Sequence, residues 1–252
     1  MSVLDAALQD LSAVGLNVHG FLAFKDWPIA LQSGTSAAMV DMGSDPVLWV
    51  VAHQGATLWR HLTGVWGGVS PPSGQDDPID HWVLAKVSSV LRDAGVAHKV
   101  VFPLAAPSTP HWPLQQLGRA LGWHHASPFQ VGIDAQWGSW FAYRAVVVLP
   151  SGCTAPSAPR RLPHPCEACT GRACEVACPA QALTPQWSLD ACQAYRLSEG
   201  STCAATCVAR EACPVGSEHR YGQAQLTYHY GQSLDFIRQW KAASDDAPSR
   251  PD

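Results

Sequence analysis

Residues 166–179 read CEACTGRACEVACP and residues 203–214 read CAATCVAREACP, with Cys192 alone between them. The first group is spaced Cys166-x2-Cys169-x4-Cys174-x3-Cys178-Pro179, and the second Cys203-x3-Cys207-x5-Cys213-Pro214. Of the 9 cysteines in the chain only Cys153 lies outside this region. Thiols gathered at short spacing in a reducing compartment share a metal more readily than they form structural disulfides. The proline after Cys178 and after Cys213 turns the chain away at the end of each group.

Two groups that each end in Cys-Pro resemble the bacterial ferredoxin run C-x2-C-x2-C-x3-C-P, in which the fourth cysteine ligates the other cluster. The resemblance implies two [4Fe–4S] clusters held by Cys166, Cys169, Cys174, Cys178, Cys192, Cys203, Cys207 and Cys213. The chain departs from the run in spacing: Cys169 to Cys174 is longer by two residues, and the second group is looser. Crossed pairing suggests Cys166, Cys169, Cys174 and Cys213 for one cluster, and Cys178, Cys192, Cys203 and Cys207 for the other. Structural zinc, with or without His164 and His219, is the alternative. Zinc ribbons show two close CxxC pairs, and here only Cys166 and Cys169 form one. Cys153 reads as a free thiol rather than a ligand.

Outward from the cysteines the chain changes character. Nine of its 11 tryptophans precede Gly152, so a large aromatic-rich body comes before the thiols. At 252 residues and 47% hydrophobic the chain can bury a substantial core. A net charge of −4 with only 16 Lys and Arg offers no footprint for a nucleic-acid partner. No apolar run approaches the roughly 18 residues of a membrane span. Residues Met1 to Asp10 lack a basic and apolar leader, and the expected location is cytoplasmic.

Four expected regions follow. Residues 1–150 alternate helices and strands, 151–165 form a Pro- and Ser-rich linker, 166–240 hold the thiols and a C-terminal helix, and 241–252 are expected to be a disordered tail. In the first region, Leu4, Leu8, Leu11 and Leu16 mark a helix and Val18 to Phe24 a strand. Val47 to Ala52 reads as a buried strand, and Gly55 to Leu62 as a helix. Ile79, Val83, Val87, Val90 and Leu91 mark a longer helix, with Asp77 as N-cap and Gly95 beyond its end. His98 to Phe102 is expected as a strand and Pro113 to Leu121 as a helix. Phe129 to Ile133 and Ser139 to Leu149 are expected as two strands about a turn at Asp134 to Gly138. Ser217 to Trp240 has helical character.

The segment Gly132 to Pro150 (GIDAQWGSWFAYRAVVVLP) resembles the end of the cobalamin-processing protein CblC. Asp77-Pro78-Ile79-Asp80 and Gly15-Leu16-x-Val18 fit that family too. The stretch from Pro113-Leu114 through Leu121-Gly122-Trp123, Phe129 and Gly138-Ser139-Trp140 resembles epoxyqueuosine reductase. That family has the same order of a corrinoid-binding domain, a linker and a two-cluster module, and Cys192 within Leu189-Asp190-Ala191-Cys192-x2-Tyr195 matches its lone cysteine. The resemblances imply an α+β protein, nitroreductase-like (CblC-like) at its N-terminus, with a small bacterial-ferredoxin-like domain after it. They imply an iron–sulfur oxidoreductase that passes single electrons from the clusters to a bound corrinoid such as cobalamin, supplied by an electron donor protein. A ferredoxin-type carrier with a partner-docking domain, or a flavin-binding relative, are the other readings.

Two departures argue against queuosine chemistry. Residues Pro107 to Trp112 contain no Asp or Glu where that enzyme family has an acid. His124-His125 stand where it has Gly-Lys. Arg160, Arg161, Arg172, Arg196, Arg210 and Arg220 are also balanced by acids nearby in sequence, which weakens any RNA-binding surface. Candidate cofactor contacts are His124, His125, Trp137, Trp140 and Arg144, and His53 follows a buried strand. Each has an ordinary alternative: a surface or capping histidine, a core tryptophan, an arginine in an ion pair. No catalytic residue is assigned.

Overall fold

The computed structural model describes residues 3–34, 42–69, 71, 77–103, 112–153 and 157–245. The run from Val47 to Ala52 has no polar residue to mark an outer face, so as a strand it must be covered on both sides. Strand β2 (Val47–Gln54) is buried from Val47 through His53. It lies inside a four-stranded antiparallel sheet with β1 (Val18–Ala23), β3 (Lys99–Phe102) and β4 (Phe141–Leu149), in the order β1-β2-β4-β3. One face, through Phe21, Trp49, Val51, Ala145 and Val147, packs under α1 (Val3–Ala13), α3 (Thr57–Trp66) and α4 (Pro78–Asp93). The other, through Leu22, Leu48, Val50, Val146 and Val148, is covered by α5 (Leu114–Ala120), Trp112 and Trp123, and by Leu31 of α2 (Ile29–Gly34). The mixed α/β architecture thus has a sheet between two helical layers.

Helix α4 buries Ile79, Val83, Val87, Val90 and Leu91 at helical spacing, as its sequence anticipates. Asp77 stands at the N-cap position, but at φ 46° its side chain accepts no capping hydrogen bond. Pro78 fits there because the first helical N–H has no partner to lose.

Several expectations are corrected. Phe129 to Ile133 is a loop rather than a strand, with only His125 and Ile133 bridged. Pro128 and the left-handed Gln130 (φ 61°) interrupt the extended run. Asp134 then closes a tight turn, its Oδ1 accepting from the Gln136 and Trp137 backbone N–H groups at 2.7 and 3.0 Å. The residues before Gly222 form only a 3-10 turn (Ser217–His219), and the C-terminal helix α9 runs Gln223–Asp245. It passes Lys241 because Lys241-Ala242-Ala243 are good helix formers with no breaker among them. The remainder of the expected tail, 246–252, lies outside the described residues, as do positions 107–111 of the segment without an acid. No described helix is long and apolar enough to cross a membrane.

The described residues of the linker form no helix or strand, yet they are tied down. Ser157 N–H donates to the Phe21 carbonyl at 2.8 Å, and Phe21 N–H donates to Ser157 Oγ at 3.0 Å. The segment thereby covers the open edge of β1, where unpaired backbone groups would otherwise face water.

Leu48 is fully buried in the sheet's second face. Leu48→Ala is expected to cost about 2–5 kcal/mol of unfolding free energy, the usual range for a wholly buried leucine. Urea denaturation measures it; a loss under ~1 kcal/mol would mean that this face is not a packed core.

Candidate metal centre

Beyond the linker lie α6 (Ala173–Ala177), α7 (Leu189–Leu197) and α8 (Val208–Ala212), ahead of α9. Helices α6 and α8 lie side by side, and each runs directly into a Cys-Pro pair. Helices of five residues do not persist on their own. They are held by packing of Cys174, Leu183, Ala209 and Cys213 on Phe129 and Ile133.

This packing encloses two thiol-lined cavities. The larger, about 140 Å³, is lined by Cys178, Cys192, Cys203 and Cys207. The smaller, about 20 Å³, is lined by Cys166, Cys169, Cys174 and Cys213. No cysteine lines both, and no carboxylate or imidazole lines either. His164 instead accepts from the Cys166 backbone N–H at 3.2 Å, and His219 lies 3.6 Å from Glu218. Neither histidine joins a cup.

The electrostatics divide in the same way. Burial, and then Cys213, Cys174 and Cys169, push the Cys166 thiol up to about 11. Burial, and then Cys207, Cys178 and Cys203, push the Cys192 thiol up, with Arg196 opposing. Four neighbouring thiols cannot all ionise in a dry cup unless positive charge is placed among them.

Among the described residues no three His, Cys, Asp or Glu side chains converge on a single metal ion. A tetrahedral zinc gathers its sulfurs at ~2.3 Å from one point. A cubane distributes four thiolates over four irons, so an all-thiol cup fits its donor set. The Cys166 cup is the narrower and must widen to admit one.

Arginines brace the cups. Arg196 Nε donates to the Cys203 carbonyl at 3.2 Å, while its two terminal nitrogens donate to Ser233 Oγ and the Tyr230 carbonyl at 2.9 Å. Arg220 Nη2 donates to the Cys213 carbonyl at 3.0 Å. Arg210 lines the larger cup and reaches the sheet body, its Nε donating to Ser139 Oγ at 3.0 Å and its Nη2 to the Ser139 carbonyl. Its guanidinium lies 4.4 Å from the Trp140 ring centroid and 5.1 Å from that of Tyr221. Nearby, Gly138 (φ 60°) and Gly216 (φ 64°) let two backbones meet: a Cβ on Gly138 would strike the Val215 carbonyl, and one on Gly216 the Trp137 backbone.

A second polar chain ties the sheet to the C-terminal segment. Between the pairs Val51–Ala145 and Ala52–Tyr143 the ladder skips Arg144, which is the extra residue of a β-bulge. Arg144 Nε donates to His53 Nδ1 at 3.1 Å, so the His53 proton sits on Nε2, 3.3 Å from the Tyr221 hydroxyl. Asp80 lies 3.9 Å from Arg144 Nη1.

The other sequence-named residues fall into separate groups of ring contacts. Trp140 is fully buried beneath Arg210 and Tyr221, so it is a core residue and offers no wall to a ligand. His124 is buried 3.3 Å from the Tyr143 hydroxyl, beside a notch of about 60 Å³ shared with Gln115, Arg119, Ser127 and Gln130. The His125 ring lies 4.9 Å from that of His164. Trp137 meets Trp123 and Phe141 edge-on, under Arg160 at 4.4 Å. Trp137 thus reaches His124 through Phe141 and Tyr143, while Trp140 reaches Arg144 through Tyr221 and His53. Sequence reasoning missed Ser139, Arg210 and Tyr221 as the links between the two halves. The signal was present in the arginine set between Cys207 and Cys213.

No protein-family model and no curated protein matches this sequence. Solved structures do. An epoxyqueuosine reductase solved with a tRNA-Tyr stem loop superposes with a TM-score of 0.51, at 13% identity, over 89% of this chain and 68% of that one. The Bacillus subtilis epoxyqueuosine reductase gives a TM-score of 0.50 at 13% identity, over 88% and 67%. The C. elegans B12-trafficking protein CblC aligns over 94% of both chains at 13% identity, with a TM-score of 0.44 that defines no shared fold. At such identity the likeness to epoxyqueuosine reductase is one of fold.

The buried histidines predict an acid limit on stability. Burial lowers His19 and His124 from the ordinary 6.5 to about 4, His229 to about 3, and His53 well below its usual value. Between those values the unfolded chain binds protons that the folded chain does not. Stability is therefore full above about pH 6.5 and declines as pH falls toward 4. Thermal melts should show a midpoint lower at pH 5 than at pH 7; an unchanged midpoint would contradict these neutral, buried imidazoles.

Proposed function

We propose that this chain is an iron–sulfur oxidoreductase. In this reading Cys166, Cys169, Cys174 and Cys213 hold one [4Fe–4S] cluster, and Cys178, Cys192, Cys203 and Cys207 hold the other. The observation that carries it is the division of eight thiols into two cups of four, with no competing ligand in either lining. Bound clusters would supply one-electron storage at low potential.

The chain's own residues bear on that storage. Arg196 and Arg210 set two buried guanidiniums in the lining of the larger cup. Positive charge there favours the more negative, reduced state. The smaller cup has only Arg172 in its lining, exposed and paired with Glu175 at 2.7 Å. With clusters bound, the two buried guanidiniums of Arg196 and Arg210 would favour reduction in the Cys178 cup, while Arg220, donating to the Cys213 carbonyl, would act on the Cys166 cup. Arg210 also joins the Cys178 cup to Ser139 and Trp140 of the sheet body.

A corrinoid is the acceptor in the leading reading, supported by the sequence resemblance and the shared fold. Among the candidate contacts Trp137 reaches His124 through Phe141 and Tyr143, and no step is assigned to the corrinoid. The other readings are a ferredoxin-type carrier whose sheet domain docks a partner, and a flavin-binding relative.

Nucleic acid is not part of the proposal. Arg160 binds Asp134 at 3.0 Å, Arg172 binds Glu175, and Arg196, Arg210 and Arg220 donate to groups within the chain. Thiol-held clusters suit the reducing cytoplasm expected from the sequence.

Reconstitution without oxygen is expected to give about eight irons and eight sulfides per chain. Cys192→Ser should lose about half of both, and Cys153→Ser none. Cobalamin added to the loaded protein should move to its base-off spectrum if a corrinoid is the acceptor. Unchanged cobalamin with reversible cluster reduction would favour the carrier, and a yellow cofactor the flavin reading. Stoichiometric zinc without iron would overturn the proposal.

A further inference from the structure

Among the described residues, Phe129 is the only one common to the linings of the two thiol cups. It belongs to the sheet body rather than to the thiol segment, and at 6% exposure it is buried. Its ring packs in one apolar cluster with Cys174 and Cys213 from the first set, and Cys178 and Cys207 from the second.

The loop that presents Phe129 is tightly held. His125 and Ile133 exchange backbone hydrogen bonds at 2.9 and 3.0 Å, and the Gln130 N–H donates to the Ser127 carbonyl at 3.1 Å. Ser127 Oγ donates to the Val131 carbonyl at 2.5 Å. Gly132 leaves room for the His124 ring, which a Cβ would strike. The side chain is thus preorganised rather than swung in on a flexible arm.

We propose that Phe129 is a positioning residue that walls off the two clusters from each other and from water, and so sets the potential of both. This rests on the two-cluster reading. Burial and solvent access are among the determinants of a cluster's potential. One apolar ring facing both cups makes the two potentials depend on a single side chain.

The test is a graded series, Phe129→Leu and Phe129→Ala, on protein loaded without oxygen, with Leu183→Ala as control. Leu183 is buried and lines only the larger cup. Redox titration followed by electron paramagnetic resonance should show both midpoints displaced in Phe129→Ala and displaced less, in the same direction, in Phe129→Leu. Leu183→Ala should displace only one midpoint. Loss of visible absorption in air should be about tenfold faster in Phe129→Ala, as expected when a large core ring is removed and the site opens to solvent. If Phe129→Ala does not retain iron, Phe129→Leu decides: displaced midpoints support the proposal. Wild-type midpoints and bleaching rates in the Phe129 variants, or displacement of one cluster alone, would overturn it. A wild-type protein that takes up no iron would overturn the cluster reading itself.

Discussion

Thiols crowded into a dry cup repel one another as they ionise, and that constraint organises the C-terminal half of this protein. Burial and neighbouring sulfurs hold Cys166, Cys174, Cys192 and Cys207 above the ordinary thiol value. Without positive charge between them they stay protonated at neutral pH. The short helices α6 and α8 contribute little stability of their own and fold around these groups. A metal core would convert the repulsion into cohesion, and cluster binding would then be coupled to folding of this segment.

The sheet body holds the cups in place. Arg210 reaches from the second cysteine group to Ser139, while Gly138 and Gly216 allow the backbones on either side to touch. His53, Arg144 and Tyr221 add a hydrogen-bonded chain whose tautomer is set by the bulge in β4. Buried polar groups of this kind are costly when a partner is missing. They therefore specify one docking geometry, and the strap through Ser157 and Arg160 fixes the connection between the halves.

How much of this could be read beforehand follows from the kind of information involved. Periodicity is local, so β2, α4 and the strand ending at Leu149 were legible. So were the eight thiols, because their spacing is itself a local pattern. Phe129 to Ile133 looked like a strand by composition, but Pro128 and the left-handed Gln130 outweigh it. Trp140 was open in sequence as a pocket wall or a core residue, and its full burial beneath Arg210 and Tyr221, from far along the chain, makes it core. Arg144 lies 3.9 Å from Asp80, the ordinary alternative to a cofactor contact, and its bond to His53 depends on a bulge that no local pattern announces. Contacts of this length are settled by packing between elements.

The most direct test is diffraction at the iron absorption edge from crystals grown without oxygen. The account predicts two compact iron sites, each of about four irons. One should be bonded to Cys166, Cys169, Cys174 and Cys213, and the other to Cys178, Cys192, Cys203 and Cys207. A single ion in either cup, or a ligand set that mixes the two groups, would contradict it.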